Sequence, residues 1–170
     1  MELLTIPVDR RYINWLERSL DRKMFLSGPR CSSLDIDHIP EPEEKQNITT
    51  ELTHLALNSQ PKNSNKSPHE TVEEFFLIND SSTVATELPV FIRENETDLG
   101  INEPITGHID LIQIRYKDLY ILDYKPNLNR PELYASQLQL YKQAIQKRTS
   151  IPKNKIHTAA FNRHAYYEFG

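Results

Sequence analysis

One stretch limits the fold of this chain more than any other: PITGHIDLIQIRYKDLYILDYKP, residues 104–126. Two runs rich in Ile, Leu and Tyr, 104–116 and 119–125, flank a tight turn at Lys117-Asp118. That pattern predicts an antiparallel β-hairpin. Side chains alternate across a strand, so His108, Asp110, Ile112 and Ile114 share one face of the first run. Leu119, Ile121, Asp123 and Lys125 share one face of the second. Charged groups are seldom buried unless they are paired or bind a metal. The acids and the lysine in these apolar strands therefore need a reason.

The rest of the chain builds around that hairpin. TVATELPVFI, residues 83–92, predicts a strand, and its Pro89 points to a sheet edge or a bulge. KIHTAAFNR (155–163) and AYYEF (165–169) predict two closing strands. Helical spacing appears over 11–24, over 47–58 and over 130–148. The first carries Ile13, Leu16 and Leu20; the second Leu52, Leu55 and Ile48; the third Leu133, Leu138, Tyr141 and Ile145. A short helix follows Pro68, which suits the first helical position. Residues 27–45 read as irregular and 58–68 as a mobile loop with little to bury. The order implies an α+β fold, an α/β/α sandwich with a mixed sheet and flanking helices. Residues 1–45 read as an N-terminal helix and irregular extension, and 46–170 as the main domain.

Composition narrows the function classes. Cys31 is the single cysteine, which excludes an intramolecular disulfide, a CxxC zinc site and a four-cysteine iron–sulfur cluster. No phosphate-cradling GxxxxGK[ST] and no GxGxxG occurs among the four glycines. No run approaches a membrane span or a signal peptide, so a soluble, cytoplasmic protein without membrane contact is expected. The net charge is −4, but it is unevenly spread: 10 Lys/Arg against 20 Asp/Glu over 1–110, and 10 against 4 over 111–170. A basic C-terminal third suits a polyanionic partner as well as it suits an ordinary solvated surface.

If the hairpin register puts Asp110 and Asp123 on one face, two carboxylates and the Lys125 ammonium converge at one end of the sheet. Carboxylates with open positions suit Mg²⁺ or Mn²⁺, which prefer hard oxygen ligands and keep room for water and phosphate oxygens. A lysine beside them can act on the attacking water or offset charge on phosphate. The same three groups could instead form an ion-pair network without metal.

GHID (107–110) followed by ILDYK (121–125) resembles the D…(D/E)xK core of the PD-(D/E)XK nuclease superfamily, and more narrowly its RecB-like exonuclease branch. QLQLY, residues 137–141, is similar to that family's QxxxY motif, and ELPV (87–90) to its E-x-P strand. The element order is similar to its αβββαβ restriction-endonuclease-like core. The resemblance implies a magnesium- or manganese-dependent deoxyribonuclease, a hydrolase of phosphodiester bonds acting in DNA repair, recombination or defence. Asp110 and Asp123 would be metal ligands, the Tyr124 carbonyl a third, and Lys125 the catalytic lysine. Gln137 would contact phosphate or metal-bound water, and Tyr141 would pack and hydrogen-bond in the site. It also implies a histidine ligand from an upstream helix. His54 is the first candidate, ahead of His69 and His108, and Glu87 is a candidate ligand directly or through a water. DNA, single- or double-stranded and engaged at its ends, is the expected partner, with a helicase or other repair subunit to supply unwinding. Pro126 stands where the family commonly carries Ser or Thr, which puts one substrate contact in doubt. The alternative is a nucleic-acid-binding or scaffolding subunit that keeps the fold without catalysis.

Overall fold

A computed structural model of the protein describes residues 22–37, 40–61 and 63–170. Six strands form one mixed sheet: β1 (Pro42–Glu44), β2 (Thr83–Ile92), β3 (Ile105–Arg115), β4 (Asp118–Tyr124), β5 (Ile156–Phe161) and β6 (Tyr166–Phe169). Their spatial order is β1-β6-β5-β4-β3-β2, and β4–β5 is the parallel pair. The helices are α1 (Arg22–Ser27), α2 (Ile48–Ser59), α3 (Pro68–Asn79) and α4 (Ala135–Arg148). A parallel pair needs a crossover connection, and α4 supplies it between β4 and β5. From α3 to β5 the elements run α-β-β-β-α-β. No helix among the described residues is long and apolar enough to cross a membrane.

The sheet is covered on both faces, which is why its central strands read as almost continuous apolar runs. On one face Leu138, Leu140, Tyr141, Ala144 and Ile145 of α4 pack with Val90, Ile112, Ile121 and Ile156. On the other, Val72 and Phe76 of α3 pack with Leu111, Leu122, Tyr124 and Phe161. α4 can approach its face closely because β3 has Gly107 beneath Tyr141. A Cβ built on Gly107 would stand 2.5 Å from Tyr141 Cε1 and 3.3 Å from Cys31 Sγ.

Four details depart from the sequence expectations. The hairpin turn is Tyr116-Lys117, one residue earlier than expected, since Arg115 pairs with Asp118. Both turn residues are left-handed, φ 51° and 72°. This is the twist a two-residue hairpin requires, here adopted without the usual Asn or Gly. The core side of α2 is Thr49, Thr53 and Ala56, with Ile48 and Leu55 exposed. Polar contacts set that rotation: Arg115 donates to Asn47 Oδ1 (3.2 Å) and Thr49 Oγ1 (3.0 Å), and Thr53 Oγ1 donates to the Thr49 carbonyl. Leu133 is 56% exposed, because a 3-10 turn over Pro131–Tyr134 precedes α4 and takes it off the helical stripe.

The fourth concerns residues 1–45, whose described part packs on the main domain. Cys31 is fully buried, Thr106 N donates to the Pro29 carbonyl, and β1 pairs with β6. β1 escaped the sequence reading because it is a three-residue edge strand with two exposed glutamates. The helix expected over 11–24 lies, up to residue 21, outside the described residues.

Candidate metal and phosphate-handling site

The β3–β4 ladder runs from Arg115↔Asp118 to Leu111↔Leu122 and stops there. Asp110 and Asp123 are the next residues of the two strands beyond that last pair, at the point where the strands part. The freed backbone is satisfied by a side chain. Tyr124 N donates to Asp110 Oδ2 at 2.7 Å, replacing a ladder bond. In an extended strand the N–H and C=O of one residue point to the same edge, so the Tyr124 carbonyl also faces β3.

Each face of the sheet sends a helix to this open end. From α3 comes His69, whose Nε2 lies 2.8 Å from Asp110 Oδ2 and whose ring stands edge-on to Tyr124 at 5.2 Å. Its position follows from local sequence: Ser67 caps α3 in a capping box with Glu70, and Pro68 opens the first turn. One helical turn later, Glu73 points the same way, with Oε1 3.9 Å from His69 Nε2. The ligand atoms of His69, Glu73 and Asp110 all lie within 4.8 Å of one another. From α4 comes Gln137, whose Nε2 donates to Tyr141 OH at 2.7 Å and to Asp123 Oδ1 at 3.3 Å. Lys125 Nζ is 2.7 Å from Asp123 Oδ2 and sits over the Tyr134 ring, 5.0 Å from its centroid.

The site holds more negative charge than its cations offset. Asp123 is 1% exposed, and burial first, then the neighbouring Asp110 charge, push its carboxyl well above the ordinary range against the pull of Lys125. Glu73 is also pushed up, mainly by burial, then by the neighbouring Glu87 and Asp110. His69 is pushed the other way for a base, toward its charged form, chiefly by its bond to Asp110.

Buried acceptors also go short of partners. Among the described residues Glu73 Oε1 has no hydrogen-bond partner, and Asp123 Oδ2 meets Lys125 at ion-pair distance without hydrogen-bond alignment. A divalent cation would relieve both the crowded charge and the orphaned oxygens. One imidazole nitrogen with several carboxylate oxygens is a donor set that could hold such an ion.

Among the residues expected from sequence, the structure gathers Asp110, Asp123, Tyr124, Lys125, Gln137 and Tyr141 at one place. Glu87 also reaches it, on edge strand β2 between Thr86↔Leu111 and Leu88↔Ile109, and so beside Asp110. Its φ is 50°, a left-handed conformation rare for a non-glycine residue and costing about 1–3 kcal/mol. The histidine is corrected. His54 is exposed on α2 and bonds to Asn58 one turn on at 2.7 Å, while His69 takes the place beside Asp110. His108 stacks edge-on with Phe25 of α1, away from the cluster. Asp123 is not in the His69, Glu73 and Asp110 group but is held by Lys125 and Gln137. Glu73 was missed altogether, although a His and a Glu four apart on a helix carried the signal. In comparison with known proteins, no family model and no curated sequence matches this chain.

Proposed function

We propose that the protein is a metal-dependent DNA nuclease of the PD-(D/E)XK type, hydrolysing phosphodiester bonds with Mg²⁺ or Mn²⁺. The observation that carries this reading is that Asp110, with His69 and Glu73, and Asp123, with Lys125 and Gln137, lie together where β3 and β4 part. Asp110, His69 and Glu73 would hold the ion, joined by Asp123 and the Tyr124 carbonyl. When bound, the ion supplies Lewis-acid charge to a phosphate oxygen and lowers the pKa of an attacking water. Lys125 is fixed between the Asp123 carboxylate and the Tyr134 ring, so its ammonium is presented to the site with little freedom left. There it offsets charge on the phosphate and exchanges a proton with the nucleophile. Gln137 orients Asp123 and, through Tyr141, ties that carboxylate to the packed face of α4.

The test is purified protein on end-labelled linear and closed circular DNA, single- and double-stranded, with Mg²⁺, Mn²⁺ or EDTA. Cleavage that requires the divalent ion supports the reading, and the substrates separate exonuclease from endonuclease action. DNA binding with neither metal binding nor cleavage would instead make the protein a nucleic-acid-binding scaffold.

A further inference from the structure

A cavity of about 570 Å³ lies at the end of the sheet away from the metal cluster, where β5 begins and β6 ends. Ile156 and His157 line it and pair with Leu119 and Tyr120 at the start of β4, whereas Asp123 stands near the far end of that strand. α4 forms one side through Lys142, and the 3-10 turn Lys153–Lys155 forms another through Lys153 and Asn154. Ile156 and Phe169, each 1% exposed, give apolar surface. The helix is tied to the end of β6 here, since Gln139 Nε2 donates to the Gly170 carbonyl at 3.2 Å.

Lys142 is the informative residue. It is 6% exposed in the middle of α4, and its side chain lines the cavity. Among the described residues its ammonium has no hydrogen bond and no ion pair. A lysine stem on apolar surface is ordinary where the charged head is well hydrated. Here burial, and next the charge of Lys153, hold the ammonium below the ordinary lysine range, with Glu168 pulling the other way. Lys153 lines the same cavity and is likewise without a hydrogen bond or an ion pair among the described residues. Two cations thus share one hollow, and each disfavours the charged form of the other. The carboxylates of the lining do not answer them. Glu43 and Glu168 pair with Lys45, at 3.3 and 2.5 Å, and Glu168 also faces His157 Nδ1 at 3.6 Å. Glu41 is exposed and forms no ion pair with either lysine.

We infer that this cavity is an anion site for a phosphate group, free or carried as a monoester, with Lys142 as its principal ligand and Lys153 beside it. Phosphate oxygens accept from both ammonium groups and cancel their repulsion, and the Asn154 carboxamide supplies a neutral donor in the same lining. At neutral pH a phosphate monoester carries about −1.5 to −2 charges, enough for two lysines, where a carboxylate carries one. The cavity is larger than a phosphate and falls in the range of small-molecule sites, about 300–1,000 Å³, which leaves room for the rest of a monoester. The site is separate from the metal cluster and does not depend on the nuclease reading.

The experiment is an NMR titration of nitrogen-labelled protein with inorganic phosphate, with EDTA present and the ionic strength held constant with chloride. The amides of Lys142, Lys153 and Asn154 should shift and saturate. Lys142→Met keeps the stem and removes the charge, and it should raise the dissociation constant by ~10-fold or more through loss of one charge-assisted hydrogen bond. Lys153→Ala, on an exposed turn, should weaken binding less and serves if Lys142→Met fails to fold. Lys147→Ala, exposed on α4 outside the cavity, is the control and should bind as wild type does. A nucleoside 5′-monophosphate and its parent nucleoside then separate the sources. A monophosphate that binds more tightly than phosphate, with no binding of the nucleoside, marks a monoester site, and equal affinity marks a site for the free ion. Shifts that never saturate, that persist at wild-type affinity in Lys142→Met and Lys153→Ala, or that gather at Asp110 and Asp123 instead would overturn the site.

Discussion

β4 has an aspartate at each end, and the two behave oppositely. Asp118, beside the hairpin turn, accepts from Lys155 Nζ at 2.8 Å and His157 Nε2 at 2.9 Å. These bonds, Lys155 first, hold its carboxyl below the usual range. Asp123, at the open end, also has a lysine within 3 Å, yet its carboxyl is pushed up. The difference lies in burial and in company. Asp118 meets water, a lysine and a histidine, whereas Asp123 is enclosed beside Asp110, and Glu73 and Glu87 are crowded next to Asp110 as well. Lys155 completes a surface ion pair, but a single lysine, Lys125, leaves the buried Asp123, Asp110 and Glu73 short of positive charge.

The largest expected break in that comparison is in metal affinity. Asp110→Ala should abolish Mn²⁺ binding in calorimetric titration, while Asp118→Asn should bind as wild type does. Equal affinity in Asp110→Ala and wild type would return the open end to the status of the turn end, a set of structural charges. Next comes Lys125→Ala, which should leave metal and DNA binding in place and lower single-turnover cleavage by at least ~10²-fold, the lower end for a positioned proton-transfer group. Lys125→Arg should not rescue it, since a guanidinium is bulkier and does not release a proton near neutral pH. Retained activity in Lys125→Ala would reduce this lysine to a counter-ion.

The contrast should also appear in stability against pH. Asp123, Glu73 and His69 all have folded-state pKa values raised above their ordinary ones. Raised groups contribute stability that is complete below their unfolded pKa and is lost as pH rises through the folded pKa. The metal-free protein should therefore melt lower as pH climbs from the ordinary carboxylate range through neutrality. Saturating Mn²⁺ should flatten that slope, and a slope unchanged by Mn²⁺ would count against a shared metal site. The smallest effect is expected at Gly107, where Ala would press on Tyr141 and so on Gln137 and Asp123. Overpacking of this kind costs about 1–3 kcal/mol in chemical denaturation.

Much of this was legible in the sequence because alternation and apolar runs are local. β2, β3 and β4, the covered faces of the sheet and the gathering of Asp110, Asp123 and Lys125 all follow from period and turn. What escaped depended on contacts between distant segments. Nothing near His54 or His69 says which helix crosses the open end of the hairpin; the packing of Val72 and Phe76 on Leu111 and Leu122 decides it. The rotation of α2 was hidden for the same reason, since Arg115, far along the chain, holds Thr49 inward. β1 carries too few residues for any period.

The side-chain bond that ends the β3–β4 ladder turns one backbone amide into a reporter. The Tyr124 N–H is held by the Asp110 carboxylate and not by a neighbouring strand. Its hydrogen-exchange rate therefore follows whatever draws on that carboxylate, while the amides further down the ladder follow the opening of the sheet. A nitrogen-labelled sample would register occupancy of the site at a single resonance, with no substrate and no turnover.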